Sequence, residues 1–277
     1  MAETDEALGQ AIRDAYAVFP EVRWRGRSAT VCACCVSAQA ARALATTRRE
    51  DLSCELIEAY LGSAHHVSEG SAADEVRHFL PRIFELLAAN ARFRICGKEL
   101  ALIRLGRGPL GWDGQNFRDC WSKAEVDAVD RFLRAYWTDT LARPPDLFRR
   151  AGTGEWLFSD DDVEAVLCMI ARTDTDLAPF LSLWDADPAL AASLHMAALV
   201  SRTMIREWHP FALLEDRRLG NAHWERHEAA MRQVVDWLVD PRRRDRLFAA
   251  VMAEAPGSPQ AIVLAEAHDE IDRLLSA

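Results

Sequence analysis

Apolar residues recur at three- and four-residue steps along most of this chain, the period of helices that bury one stripe. Leu8, Ile12, Ala15, Tyr16 and Phe19 set out a first helix, which Pro20 closes. Leu52, Leu56, Ile57, Tyr60 and Leu61 predict a second. Ser71 can cap a third, where Asp74 and Glu75 favour the positive end of the helix dipole. Its stripe is Val76, Phe79, Leu80, Ile83, Phe84 and Leu87, and Pro81 inside it predicts a bend or a later start. From Ser122 onward, Val126, Val129, Phe132, Leu133, Tyr136 and Trp137 predict a long helix that stops before Pro144 and Pro145.

Between these runs the pattern is mixed. Around Arg92 and Arg94 the residues alternate briefly as in a strand, Glu99 to Leu105 reads as helix, and the glycines at 106, 108, 111 and 114 mark a loop. The stretch ARPPDLFRRAGTGEW has two prolines, two glycines and no apolar period, which divides the chain into a helical part at 1–142 and a second at 143–277. Beyond it, Ser159 can cap a helix through DDDVEAVLCMIA, and Asp187 with Pro188 has the form of a helix start. The stripe Leu190, Leu194, Ala197, Met204 and Trp208 follows, and two further helices lie around His223 to Val239 and Pro259 to Leu275. The expected fold is all-α, an irregular helical bundle or a short stack of helical hairpins, with no evident strand set.

Composition narrows the class. The 277 residues are 50% hydrophobic and 27% charged, an ordinary globular balance that supports a real core. The longest apolar runs fall far short of the ~20 residues that cross a bilayer, so no membrane partner is expected. MAETDEALGQAIRDAY lacks the basic and apolar blocks of an export signal, which points to the cytoplasm. Seven cysteines, an odd number at irregular spacing, read as reduced thiols. A net charge of −10 disfavours nucleic acid and suits a basic protein partner. Residues 1–142 hold 18 basic and 20 acidic side chains, and 143–277 hold 15 and 23, so the acidity sits in the second part.

Few motifs carry chemistry. In VCACCVSAQAARALA, Cys32 and Cys35 have C-x-x-C spacing with Cys34 beside them. They read as small core residues at the start of a helix, and zinc is the alternative, its remaining ligands drawn from Cys54, His65, His66 or His78. In HWERHE, His223 and His227 would share one helix face, without the H-E-x-x-H order of zinc peptidases. His65 and His66 lie near a helix end whose dipole favours them. His78, Arg82 and Glu85 fall on one side of their helix, opposite the apolar stripe, as a polar cluster. The acids Asp160, Asp161, Asp162 and Glu164, with Trp156 nearby, form a candidate surface for a basic partner. Trp112 and Trp184 are further candidate anchors, and DPRRRDRL reads as solvated arginines. The common nucleotide-binding and serine-hydrolase signatures are absent, which favours a binding protein over an enzyme.

The Cys32 to Cys35 pair followed by Val36 and Ser37, the segment DLSCELIEAYLGSA, and above all DEVRHFLPRIFELL resemble an uncharacterised family of bacterial helical proteins. The resemblance spans roughly residues 20–140 and implies a helical fold and a bacterial origin, with no catalytic residues to carry over. In its acidic, motif-poor character the chain is also similar to polymorphic-toxin immunity proteins. The expected function is therefore an inhibitor or immunity-like protein that neutralises a basic partner through an acidic helical surface. A zinc-binding module or metal-dependent enzyme built on Cys32 and Cys35, and a helical-repeat scaffold, are the alternatives.

Overall fold

The computed structural model describes every residue except 1, 66, 68–71, 92, 94–96, 109, 113–114, 159–162, 205–215 and 277. Helices dominate the described chain, as the periodicity requires: α1 (Ala2–Val18), α2 (Ala38–Thr46), α3 (Cys54–Leu61), α4 (Ala72–Ala88), α5 (Phe117–Cys120) and α6 (Lys123–Ala142) come first. A short hairpin of β1 (Leu147–Arg149) and β2 (Trp156–Phe158) follows, then α7 (Val163–Ala171), α8 (Ala178–Ala186), α9 (Leu190–Met204), α10 (Glu228–Leu238), α11 (Pro241–Ala253) and α12 (Pro259–Ser276). Among the described residues no helix is long and apolar enough to cross a membrane.

Two compact units emerge, one of Met1–Tyr136 with Met169–Thr175 and one of Trp137–Cys168 with Asp176–Ala277. In the first, α1 packs on α4, and Phe84 of α4 stacks on Phe132 of α6 with ring centroids 3.7 Å apart. Buried Leu8, Ala11 and Ala15 form the stripe of α1, and buried Phe19 follows its last residue. In the second, α12 packs on α9 and α11, while Trp137 and Trp184 meet edge to face at 5.4 Å. Their indole N–H groups reach the carbonyls of Phe180 and Ala192, so both large rings are buried without an orphaned donor.

Several expectations change. The helix containing Pro81 starts at Ala72 and runs through the proline, which occupies the buried face, instead of starting later; Ser71 lies outside the described residues. Glu99 to Leu105 forms two 3-10 turns, Lys98–Leu100 and Ile103–Leu105, not one helix. Close backbone approach ends that segment: a Cβ on Gly106 would sit 1.8 Å from the Arg172 carbonyl oxygen, and one on Gly111 1.9 Å from that of Gly106. The alternation at Arg92 and Arg94 lies outside the described residues, as do Ser159, Gly114 and Trp208. The proline- and glycine-rich stretch after residue 142 folds as the antiparallel hairpin, pairing Leu147 with Phe158 and Arg149 with Trp156.

The arginines of DPRRRDRL are not simply solvated. Asp240 caps α11 by accepting from the Arg242 amide, and Pro241 takes the first helical position. Arg243 is buried against the Trp237 ring and pairs with Asp185 and Asp240. Arg246 donates to the carbonyls of Trp184 and Asp187 at the end of α8, the first of which also accepts the Asp187 amide. Trp184 is wholly buried, which removes it as a surface anchor, and Trp112 is half-buried.

Candidate metal centre

The cysteine segment crosses from α1 to α2 and is held at both ends by buried side chains. Upstream, Glu75 of α4 accepts the Thr30 amide at 2.7 Å, the Thr30 hydroxyl at 2.9 Å and the Arg27 guanidinium at 2.8 Å. This carboxylate is fully buried, so each of those donors replaces a lost water. In the middle, the Cys32 amide donates to the Ser63 hydroxyl at 2.7 Å. Ser63 itself sits in a segment gripped by Arg104, whose guanidinium donates to the carbonyls of Tyr60, Leu61, Ser63, His65 and Leu110. Downstream, Ser37 caps α2 by accepting the Ala40 amide, and Val36 is buried.

Between these anchors the backbone makes one tight turn, with the amides of Cys35 and Val36 both donating to the Cys32 carbonyl at 3.0 Å. The turn gathers the sulfurs of Cys32, Cys34 and Cys35 within 4.8 Å of one another, with Cys32 to Cys34 at 2.7 Å and Cys34 to Cys35 at 3.7 Å. A zinc–sulfur bond of about 2.3 Å places tetrahedral sulfurs about 3.8 Å apart, which the Cys34–Cys35 separation matches, while Cys32 and Cys34 at 2.7 Å would have to open by about 1 Å to share one ion. The hydrogen bond its sulfur makes with Cys34 draws the Cys32 thiol down to about 7, while the same contact pushes Cys34 up to about 11. The contact thus brings one thiol of the group down towards neutral pH at the expense of its neighbour.

Cys34 and Cys35 are exposed and Cys32 is half-buried, which overturns their reading as core residues at the start of a helix. The other proposed zinc ligands stay away. Among the described residues no histidine, carboxylate or further cysteine joins the three sulfurs. Cys54 begins α3, where burial pushes its thiol up. His65 packs beside Arg104 and the Tyr60 ring, and His66 lies outside the described residues. His223 lies in a 3-10 turn, Ala222–Trp224, and His227 precedes α10, so they do not share a helix face.

The polar cluster on α4 divides. Arg82 donates to Glu85 at 2.6 Å and to the Leu52 carbonyl at 2.8 Å, and the Tyr16 hydroxyl also donates to Glu85. These contacts tie α4 to α1 and to the chain before α3. His78 points elsewhere: it is 3% exposed, lies against Trp24 and Phe79, and accepts the Val22 amide at Nδ1. In the acidic set, Asp160, Asp161 and Asp162 lie outside the described residues. Glu164 is buried instead of forming part of a surface: it accepts the Asn221 amide at 2.6 Å and the Trp224 indole N–H at 3.0 Å. Trp156 is half-buried in β2.

Sequence reasoning found the three thiols because they are neighbours in the chain. It missed Glu75, Ser63 and Arg104, whose partners, Leu110 excepted, lie 31 to 48 residues away and leave no local signal. A scan against family models, a search of curated proteins and a search of solved structures each find no match for this chain.

Proposed function

We propose that this chain is a metal-binding protein whose Cys32, Cys34 and Cys35 thiolates hold one thiophilic divalent cation, zinc by class. The observation that carries this reading is the convergence of three sulfurs within 4.8 Å on a turn anchored by buried Glu75 and Ser63. Thiolates select zinc-like ions over hard cations, and an anchored turn holds the donors together before the ion arrives. Purified under reduction, the chain is expected to retain about one equivalent of zinc per molecule, and Cys35→Ser to release it, since binding requires deprotonated sulfur donors. Cys54→Ser, outside the cluster, is expected to retain the full equivalent. Elemental analysis with a competing chelator checks both variants, and a wild-type chain that takes up no zinc from the chelator overturns the reading.

A second reading, a protein-binding and immunity-like role, has separate support in the second unit. Phe148, Leu183, Leu190, Phe248 and Met252, the exposed large hydrophobics among the described residues, all belong to it. Phe248 and Met252 lie one turn apart on α11 at 53% and 70% exposure, and residues 143–277 carry the acidic excess. An aromatic and a methionine side by side suit an interface anchor. On this reading the wild-type chain recovers one basic protein at near-equal stoichiometry, and the double variant Phe248→Asp, Met252→Asp loses it. Recovery of the same proteins by both chains removes the reading.

A further inference from the structure

We infer that the fourth coordination position of the Cys32, Cys34 and Cys35 centre is a binding site for an external thiol. The inference rests on the metal-binding reading above and concerns what such an ion would take from solution. Three donors from one four-residue turn occupy one face of a tetrahedron, so the remaining corner points away from that turn. Cys34 and Cys35 are exposed, which opens that side to solvent. Among the described residues no other histidine, cysteine or carboxylate comes within the group. The turn is held through its backbone: Ser63 takes the Cys32 amide and Glu75 takes the Thr30 amide, which leaves the sulfurs out of both contacts.

The donor set decides which ligand suits the open corner. Three thiolates on a divalent ion leave a net charge of −1, which makes the ion a poor acid toward water but keeps it soft. A soft centre favours a fourth sulfur over a hard oxygen. An arriving thiol would replace the water that fills this corner: one metal–sulfur bond forms, one metal–oxygen bond and the S–H bond break, the water leaves to solvent and the proton passes to the buffer, and nothing is oxidised or reduced. A low-mass thiol and a cysteine of another protein share this chemistry.

The test uses the full chain loaded with cobalt(II), which reports sulfur ligation by its charge-transfer absorption. Titration with glutathione is expected to raise the sulfur-to-cobalt band by about a third, the ratio of four bonds to three in a tetrahedral site, and to saturate at one thiol per ion. S-methylglutathione, which has no thiol, is expected to leave the band unchanged. An unstructured peptide with one cysteine, tested in parallel, separates the sources. A rise with glutathione assigns the corner to a low-mass thiol, and a rise with the peptide alone assigns it to a protein thiol. A loaded chain whose band neither thiol raises, or whose band either one bleaches, overturns the inference while leaving metal binding intact. A chain that binds neither cobalt nor zinc overturns both.

Discussion

Replacement of Arg104 by alanine is expected to cost more than about 4 kcal/mol, a large part of the roughly 5–15 kcal/mol that holds a domain of this size folded. Arg104 is 2% exposed, and its two terminal nitrogens reach five carbonyls, with the shortest contacts at 2.6 Å to Ser63 and 2.7 Å to His65. Two of those carbonyls, Tyr60 and Leu61, close α3, where the last acceptors of a helix lack intrahelical donors and the dipole favours a cation. The guanidinium also lies over the Tyr60 ring at 5.1 Å. Alanine would take the guanidinium from all five acceptors and leave a cavity. The Tyr60 and Ser63 carbonyls keep backbone donors from Ser63 and His65, so the loss falls mainly on those of Leu61, His65 and Leu110. Lysine would restore a charge without the planar fork that serves them together. Arg104→Lys is therefore expected to recover less than half of the loss. Urea unfolding followed by circular dichroism checks both variants, and a loss below about 1 kcal/mol for Arg104→Ala would refute the assignment. Because Ser63 anchors Cys32 from the same segment, the proposed metal site predicts weaker zinc uptake in whichever variant still folds.

The helical class was legible wherever one apolar stripe faces one core, as in α1, α6 and α12. It was illegible in α11, where the buried face uses Arg243 beside Leu247, and three consecutive arginines hide the period. The placement of His78 failed for a related reason. Residues of α4 are buried on nearly every side, among them Glu75, Val76, His78, Phe79, Leu80 and Pro81, so the side opposite its apolar stripe is not solvent. The segment with the 3-10 turns Lys98–Leu100 and Ile103–Leu105 ends at Gly106, packed against the Arg172 carbonyl far along the chain, which no local window contains. The three thiols were legible as neighbours, but their exposure was not. It follows from how Ser63 and Glu75 fix the turn, and both are set by tertiary packing.

The same burial of His78 gives the chain a specific dependence on pH. Burial, then the nearby Arg49, lowers its pKa from the ordinary 6.5 to about 4, with only Glu50 acting in the opposite direction. The Val22 amide donates to Nδ1, which puts the proton of the neutral ring on Nε2, where it meets no acceptor among the described residues. Protonating Nδ1 would break that bond and place a charge between Trp24 and Phe79. Between pH 4 and 6.5 the unfolded chain therefore binds a proton that the folded chain refuses. Stability rises with pH across this window: the contribution is fully present above about 6.5 and is lost as the pH falls towards about 4. The distance between the two values corresponds to about 3 kcal/mol. Asp240, drawn down to about 2 by the Arg242 hydrogen bond, loses its proton-linked stability mainly below that window. His78→Asn keeps an acceptor for the Val22 amide and has no titrating ring. It is expected to cost about 1–2 kcal/mol at pH 7 and to flatten the pH dependence between 4 and 6.5. Urea midpoints collected across this range decide the matter, since a variant with the wild-type slope would show that the proton is taken up elsewhere.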